Sequence, residues 1–401
     1  MGSAQPDLTR LRSYRLARLQ AELAKLDVTG ALLADPINIR YATDIRNMQV
    51  WSLHSLVRYA FVPTQGKSIA FEYPGSEHLA AGLETVSEVR PALPRFSAGQ
   101  HRDARGEADA QAREWAREIA DLAERTGGWR IAIDGHIDHY SALALADAGL
   151  SLVPARLALS RAQVIKSIDE VACIEAAIAA TETGMEKMRA ALVSGISENQ
   201  LWAILNGTNI ALGGEYSDTR LLSSGTRTNP WYQEASNRLV NSGEVVSFDT
   251  DMIGPFGYDA DISRSFLCPP GRPTDRQLRL YGVAWDQLHH NLELIRPGAS
   301  FREMSEKAFR LPDEFRAQQM AMTWHGVGLC GQWPTIVGPG HYKPDAHLDG
   351  IIEPNMVLCC ESYVGAIGQA EGVKLEQQIL VTGRGYRLLS SFPFEDTLLR
   401  G

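Results

Sequence analysis

The chain has 401 residues, 44% of them hydrophobic and 22% charged, with a formal net charge of -9. That length is enough for two domains with a well-buried core, and an acidic balance with scattered Lys and Arg excludes a basic face for nucleic acid. Five cysteines, odd in number and without CxxC spacing, suit reduced thiols in a cytosol better than a disulfide framework, and no apolar run is long enough to span a membrane.

In chain order, Leu11, Tyr14, Leu16, Leu19, Leu23 and Leu26 recur near helical spacing, so residues 8–26 read as an amphipathic helix. Residues 30–34 read as a buried strand ended by Asp35-Pro36. Residues 38–59 lack a clean period, and their Trp51, His54 and Arg58 are candidates for a pocket wall or for plain packing. Strand-like runs at 60–63, 67–71 and 130–134 alternate with helical ones at 108–126 and 139–148, which is the pattern of an α/β domain. The boundary falls near 157–163, giving domains of 1–158 and 159–401. The second opens with a helix from Ser167, whose Ile168, Val171, Ile174, Ala177 and Ile178 share one face. A helix at 198–207, strands at 220–223, 245–251 and 257–261, a helix at 275–295 and late strands at 356–361 and 373–381 follow.

Chemistry concentrates in VVSFDTDMIGPFGYDADISRS, residues 245–265. Asp249 and Asp251 stand at i and i+2, as do Asp259 and Asp261, with Gly254, Pro255 and Gly257 between them. The spacing predicts a hairpin whose two strands aim four carboxylates at one spot, and such a group needs a positive partner. His325 opens HGVGLCGQWP, Glu361 ends VLCCE and Glu376 lies in GVKLEQQILVT, each in an apolar setting where an unpartnered polar group is costly. One imidazole with this many carboxylates is a hard-ligand set suited to two divalent ions of Mn, Fe, Co or Zn. Asp259 leaves a regular strand on the same side as Asp261, which makes it a candidate general base or an extra ligand. Trp231, Tyr232 and Trp333 are candidates for an aromatic wall that would hold a cationic substrate.

The order Asp, Asp, His, Glu, Glu in DADISRS, HGVG, ESY and GVKLEQQ resembles the pita-bread family of methionine aminopeptidase, X-Pro aminopeptidase, prolidase and creatinase. The resemblance covers nearly the whole chain and implies a creatinase-type α/β N-terminal domain before a pita-bread catalytic domain. Carried over, it implies Asp249 or Asp251, Asp261, His325, Glu361 and Glu376 as ligands. FDTD, TRLLSSGTRTNPWYQE, NIRYATDIRNMQVW and HGVGLCGQWP resemble the dimethylsulfoniopropionate (DMSP) lyase branch, in which both aspartates of FDTD contact metal and iron is the metal implied. The peptidases use two further histidines; here Pro230-Trp231-Tyr232 and Gln332 stand at those places, and neither does that proton chemistry. The lyase branch resembles HGVGLCDEWP with the Asp as base, where this chain has Gly331. The resemblance implies a lyase acting on a small zwitterion and a homodimer, with an X-Pro metallohydrolase or a non-catalytic paralogue as alternatives; the cytoplasmic location expected rests on the cysteines.

Overall fold

The computed structural model describes residues 5–93, 106–343 and 349–400. It divides into two compact units, Asp7–Gln163 and a second built on Val164–Gly401. In the first unit a six-stranded sheet runs in the order Val86–Pro91, Ser68–Glu72, Tyr59–Pro63, Gly30–Leu33, Arg130–Ile133, Ser151–Pro154. Every residue of Gly30–Leu33 is buried, as a continuous apolar run requires of a central strand. Trp115, Ala116 and Ile119 of the helix Gly106–Arg125 pack in one cluster with Leu32, Phe61 and Phe71 of the sheet.

Two details of this unit depart from the sequence expectation. Residues 38–59 are less irregular than their lack of period suggested: Pro36–Thr43 is a helix, because the Asp35 carboxylate accepts from Ile37 N and Asn38 N and Pro36 sits in the first turn. Asp35-Pro36 is thus a start signal as much as a stop. Arg58 is no pocket wall, since its buried guanidinium lies 2.8 Å from Glu72 Oε1. Trp51 and His54 remain exposed, with Trp51 edge-on to Tyr73.

The second unit opens with the helix Ile168–Ala191, started by a capping box in which Ser167 and Glu170 exchange hydrogen bonds. Val171, Ile174, Ala177 and Ile178 are buried as expected, but Ile168, in the first turn, is exposed. An antiparallel sheet follows in the order Gly331–Val337, Met322–Val327, Val357–Val364, Val373–Val381, Tyr386–Leu388. Alternation sorts its side chains into two faces. Trp324, Leu358, Cys360, Leu375 and Ile379 take one face and join a core cluster with Ala284, Leu288 and Leu292 of the helix Asp275–Glu293. The other face carries His325, Cys359, Glu361, Lys374 and Glu376.

A smaller sheet of Leu222–Ser224, Val245–Asp249 and Ser263–Leu267 supplies the facing wall. The expected hairpin is present: Ser263 pairs with Asp249, and beyond a break Met252 pairs with Ala260 and Ile253 with Asp259. Thr250 fills the break, its hydroxyl donating to Ala260 O at 2.7 Å and accepting from Ile262 N at 2.9 Å. A side chain thereby replaces lost ladder bonds and leaves Asp251 and Asp261 outside regular strand.

Candidate metal centre

Strand register assembles the histidine side of the site. His325 lies directly opposite Cys359, and Glu361 directly opposite Glu376. Side chains of opposite residues share a face with their Cβ atoms about 5 Å apart, so four ligand-type groups from three strands converge without any loop being involved. Asp249 and Asp261 reach the same place from the hairpin. Spacing placed Asp249 and Asp251 on one side of a strand; instead Asp251 has left the ladder with φ of 38°, and its carboxylate is oriented by the hydroxyl of Thr219. It still joins the group, because the donor atoms of Asp249, Asp251 and Asp261 lie within 4.8 Å of one another. Asp249, Glu361 and Glu376 form a second such group, and Asp261, His325, Cys359 and Glu376 a third.

These distances fit ligands around a cation better than a hydrogen-bonded network. His325 Nε2 stands 3.3 Å from Asp261 Oδ2, 3.4 Å from Glu376 Oε1 and 3.5 Å from Glu361 Oε1. Donors at about 2.0–2.1 Å from a tetrahedral ion are separated by roughly 3.3–3.4 Å, whereas charge-assisted hydrogen bonds close to about 2.7–2.9 Å. Asp261 Oδ1 and Glu376 Oε1 are buried with no hydrogen-bond partner, as is Asp259 Oδ1. A carboxylate oxygen stranded in this way needs a metal or a proton. The residues therefore fit the two-ion reading of their sequence.

Sequence reasoning missed Lys374. Its Nζ lies fully buried, 3.2 Å from Asp249 Oδ2 and 3.0 Å from Glu376 Oε2, in contact with Glu361 and donating to Ser263 Oγ at 2.7 Å. Ser263 Oγ in turn stands 2.7 Å from both Asp249 Oδ1 and Glu376 Oε2. Glu361 and Glu376 thus each offer one oxygen toward His325 and the other toward Lys374, the arrangement of carboxylates that bridge two positive centres. The signal was available: Lys374 precedes Glu376 by two and Cys359 precedes Glu361 by two, so each shares its neighbour's face under strand alternation.

Charge is unbalanced here. Burial pushes the Asp249, Asp259 and Asp261 carboxyls up, with neighbouring carboxylates adding to it, and Asp251 is pushed up to about 8 by burial and by Asp249. Burial opposes the charged form of His325, yet the adjacent Asp261, Glu361 and Glu376 carboxylates together outweigh burial and raise it well above the usual imidazole value. Burial would also raise Glu376, but Lys374 and His325 hold it low. A cluster that gathers protons in this way is short of cations, and divalent ions would take the protons' place.

Of the four hairpin carboxylates, Asp259 joins none of the three converging donor groups; it is buried, and its carboxyl is influenced by the charges of Asp251, Asp218, His325 and Glu376. The hydroxyl of the neighbouring Tyr258 donates to the Glu170 carboxylate at 3.1 Å. Trp231 is buried with Lys374 Nζ 5.9 Å from its ring centroid. Tyr232, beside it at φ 74°, is 66% exposed, and Glu361 and Asp249 add to burial in raising its phenol. Trp333 is placed otherwise than expected: its ring meets Phe301 edge-on at 5.5 Å and packs on the core. The cause is a register slip between His325 and Gly326, where the Gly331–Val337 strand spends extra residues.

Comparison with known proteins agrees with this geometry. Residues 172–383 match the model of metallopeptidase family M24. The chain is 38% identical over 405 residues to the dimethylsulfoniopropionate lyase DddP of Roseovarius nubinhibens, covering 99% of this chain and 90% of that protein. It is 33% identical to the DddP of Roseobacter denitrificans, covering 98% and 88%. The Xaa-Pro dipeptidase of Bacillus anthracis superposes with a TM-score of 0.77 at 18% identity, covering 96% of this chain and 99% of that one, which shows the two-domain pita-bread fold.

Proposed function

The chain belongs to metallopeptidase family M24, and from that premise we propose that it is a metal-dependent lyase of the DMSP type, releasing dimethyl sulfide and acrylate. The observation that carries this reading is the near full-length likeness to two DMSP lyases, in a chain that has Trp231 and Gln332 where M24 peptidases need proton-carrying histidines. Two divalent ions on Asp249, Asp251, Asp261, His325, Glu361 and Glu376 would supply an electrostatic anchor for the substrate carboxylate. Iron is the metal the branch suggests; the same donors accommodate Mn, Co or Zn. Tyr232 and Trp231 face the sulfonium end, where aromatic rings attract a cation.

In this reaction a proton leaves the carbon next to the carboxylate, its electron pair becomes the C=C bond, and the C–S pair departs with neutral sulfide. Gly331 cannot accept that proton. A Cβ built at Gly331 would stand 3.9 Å from His325 Nδ1, so a side chain there would reach the histidine. Asp259, buried near His325 with an unpartnered oxygen, is the carboxylate we assign to this role in its stead. The assembly we propose is a cytoplasmic homodimer in which the exposed stretch with Trp51 and His54 approaches the second copy's site; five free cysteines suit that compartment.

The test is turnover of metal-reconstituted protein on DMSP, betaines and X-Pro dipeptides, with volatile sulfide and free amine both followed. Sulfide release supports the lyase, amine release would make it a peptidase, and no turnover by metal-loaded protein would make it a binding paralogue. Asp259→Asn should lower sulfide release by about 10²–10⁴-fold, the usual contribution of a positioned base, with metal content unchanged. Loss of metal in that variant would make Asp259 a ligand instead.

A further inference from the structure

We propose that Cys359 is a sulfur ligand of the ion on the His325 side of the centre, so that this position is a mixed imidazole, carboxylate and thiolate site. The inference rests on the metal centre of the proposed lyase and not on its substrate. Register decides where the side chain goes: Cys359 is cross-strand from His325 on one side and from Gln378 on the other, and two residues before Glu361. All of these share the inner face. Cys360 alternates to the outer face, where its sulfur lies 3.9 Å from Leu288 O.

Within the inner face the sulfur is close enough to serve. Donor atoms of Asp261, His325, Cys359 and Glu376 all lie within 4.8 Å of one another, and all four residues are buried. Bonds of about 2.0–2.3 Å to a tetrahedral ion separate donors by roughly 3.3–3.8 Å, so shifts of about an ångström close the set. The thiol donates to Asp261 O at 3.5 Å, which holds it beside the ligand Asp261. Independently of the sulfur, Asp261 Oδ1 and Glu376 Oε1 in the same group are buried and unpartnered. An ion held by these two oxygens and His325 would lie within reach of the sulfur as well, so the cavity that satisfies the carboxylates also offers Cys359 a partner.

Ligation exchanges the S–H bond for a sulfur–metal bond and releases the proton to solvent. It also makes the two positions unequal. The His325 side gains a soft donor and favours Zn, Fe or Co over Mn, whereas Asp249, Glu361 and Glu376 offer oxygen alone and already share the ammonium of Lys374. One equivalent of Zn²⁺ should therefore fill the His325 side first.

X-ray absorption of the full chain loaded with one equivalent of Zn²⁺ tests this without any substrate. The expected spectrum contains one sulfur at about 2.3 Å besides nitrogen and oxygen at about 2.0–2.1 Å. Cys359→Ser should remove the sulfur path and lower the preference for Zn²⁺ over Mn²⁺ at least about tenfold, as a soft donor gives way to a hard one; Cys360→Ala should keep both. A wild-type spectrum without sulfur, or a sulfur path that survives Cys359→Ser, overturns the proposal, and the wild-type spectrum decides alone if the variant does not fold. A sulfur path in a protein that releases no sulfide would sink the lyase and keep this ligand; sulfide release without the path does the reverse.

Discussion

Lys374→Met removes a positive charge from the centre while nearly conserving side-chain volume, so its effect isolates electrostatics. The ammonium is fully buried, 3.2 Å from Asp249 and 3.0 Å from Glu376, and touches Glu361. Removing one partner from a buried ionic cluster costs about 3–5 kcal/mol, because the groups left behind stay desolvated without compensation. A unit of the size of Val164–Gly401 has an unfolding entropy near Tm of about 0.5 kcal/mol/K, which converts that cost into a loss of roughly 6–10 °C. This should be seen in EDTA. With excess Co²⁺ the ion itself neutralises Asp249, Glu361 and Glu376, and the loss should shrink to less than half. Calorimetric scans of wild type and variant under both conditions measure the difference. An equal loss with and without metal would reduce Lys374 to a packing residue, and a loss under about 2 °C in EDTA would refute the charge argument itself.

Two further substitutions probe other parts of the molecule. Lys166 is buried with its Nζ 3.4 Å from Val164 O, and burial pushes it from the usual 10.5 down to about 8. Between those values the unfolded chain binds more protons than the folded one, so wild-type stability rises with pH through that window, while below it the fold carries a desolvated charge. Lys166→Met should therefore be more stable than wild type at pH 7 by about 3 kcal/mol, the gain fading toward pH 10.5; urea midpoints at pH 7 and pH 9.5 check it, and a constant gain or a loss at pH 7 contradicts it. Tyr232→Ala should weaken a sulfonium ligand several-fold more than its neutral carbon isostere, matching the roughly 0.5–2 kcal/mol of a cation over an aromatic face, with Tyr232→Phe retaining most of the affinity. Equal losses for the two ligands in titration calorimetry would remove Tyr232 from the cation wall.

Much of the centre was legible because strand alternation is local. Two Asp at i and i+2, repeated across a Gly/Pro turn, announced a hairpin full of carboxylates, and His325, Glu361 and Glu376 stood out as costly groups in apolar strands. The start of the helix Ile168–Ala191 was equally plain, since its capping box lies within four residues. Neighbouring residues specify such features whatever the rest of the chain does.

Partnership across strands is another matter. That Cys359 faces His325, and that Lys374 rather than solvent meets Asp249, depends on register between strands far apart in sequence, and nothing in either segment names its partner. Local period also fails where a ladder breaks: Asp251 reached the site through a left-handed turn, and a slip beside Gly326 leaves Trp333 half-buried against the core. The sequence by itself determined which residues bear the chemistry and which elements carry most of them. Tertiary structure alone decided which of them meet, because one residue of register turns a side chain from one face of a sheet to the other.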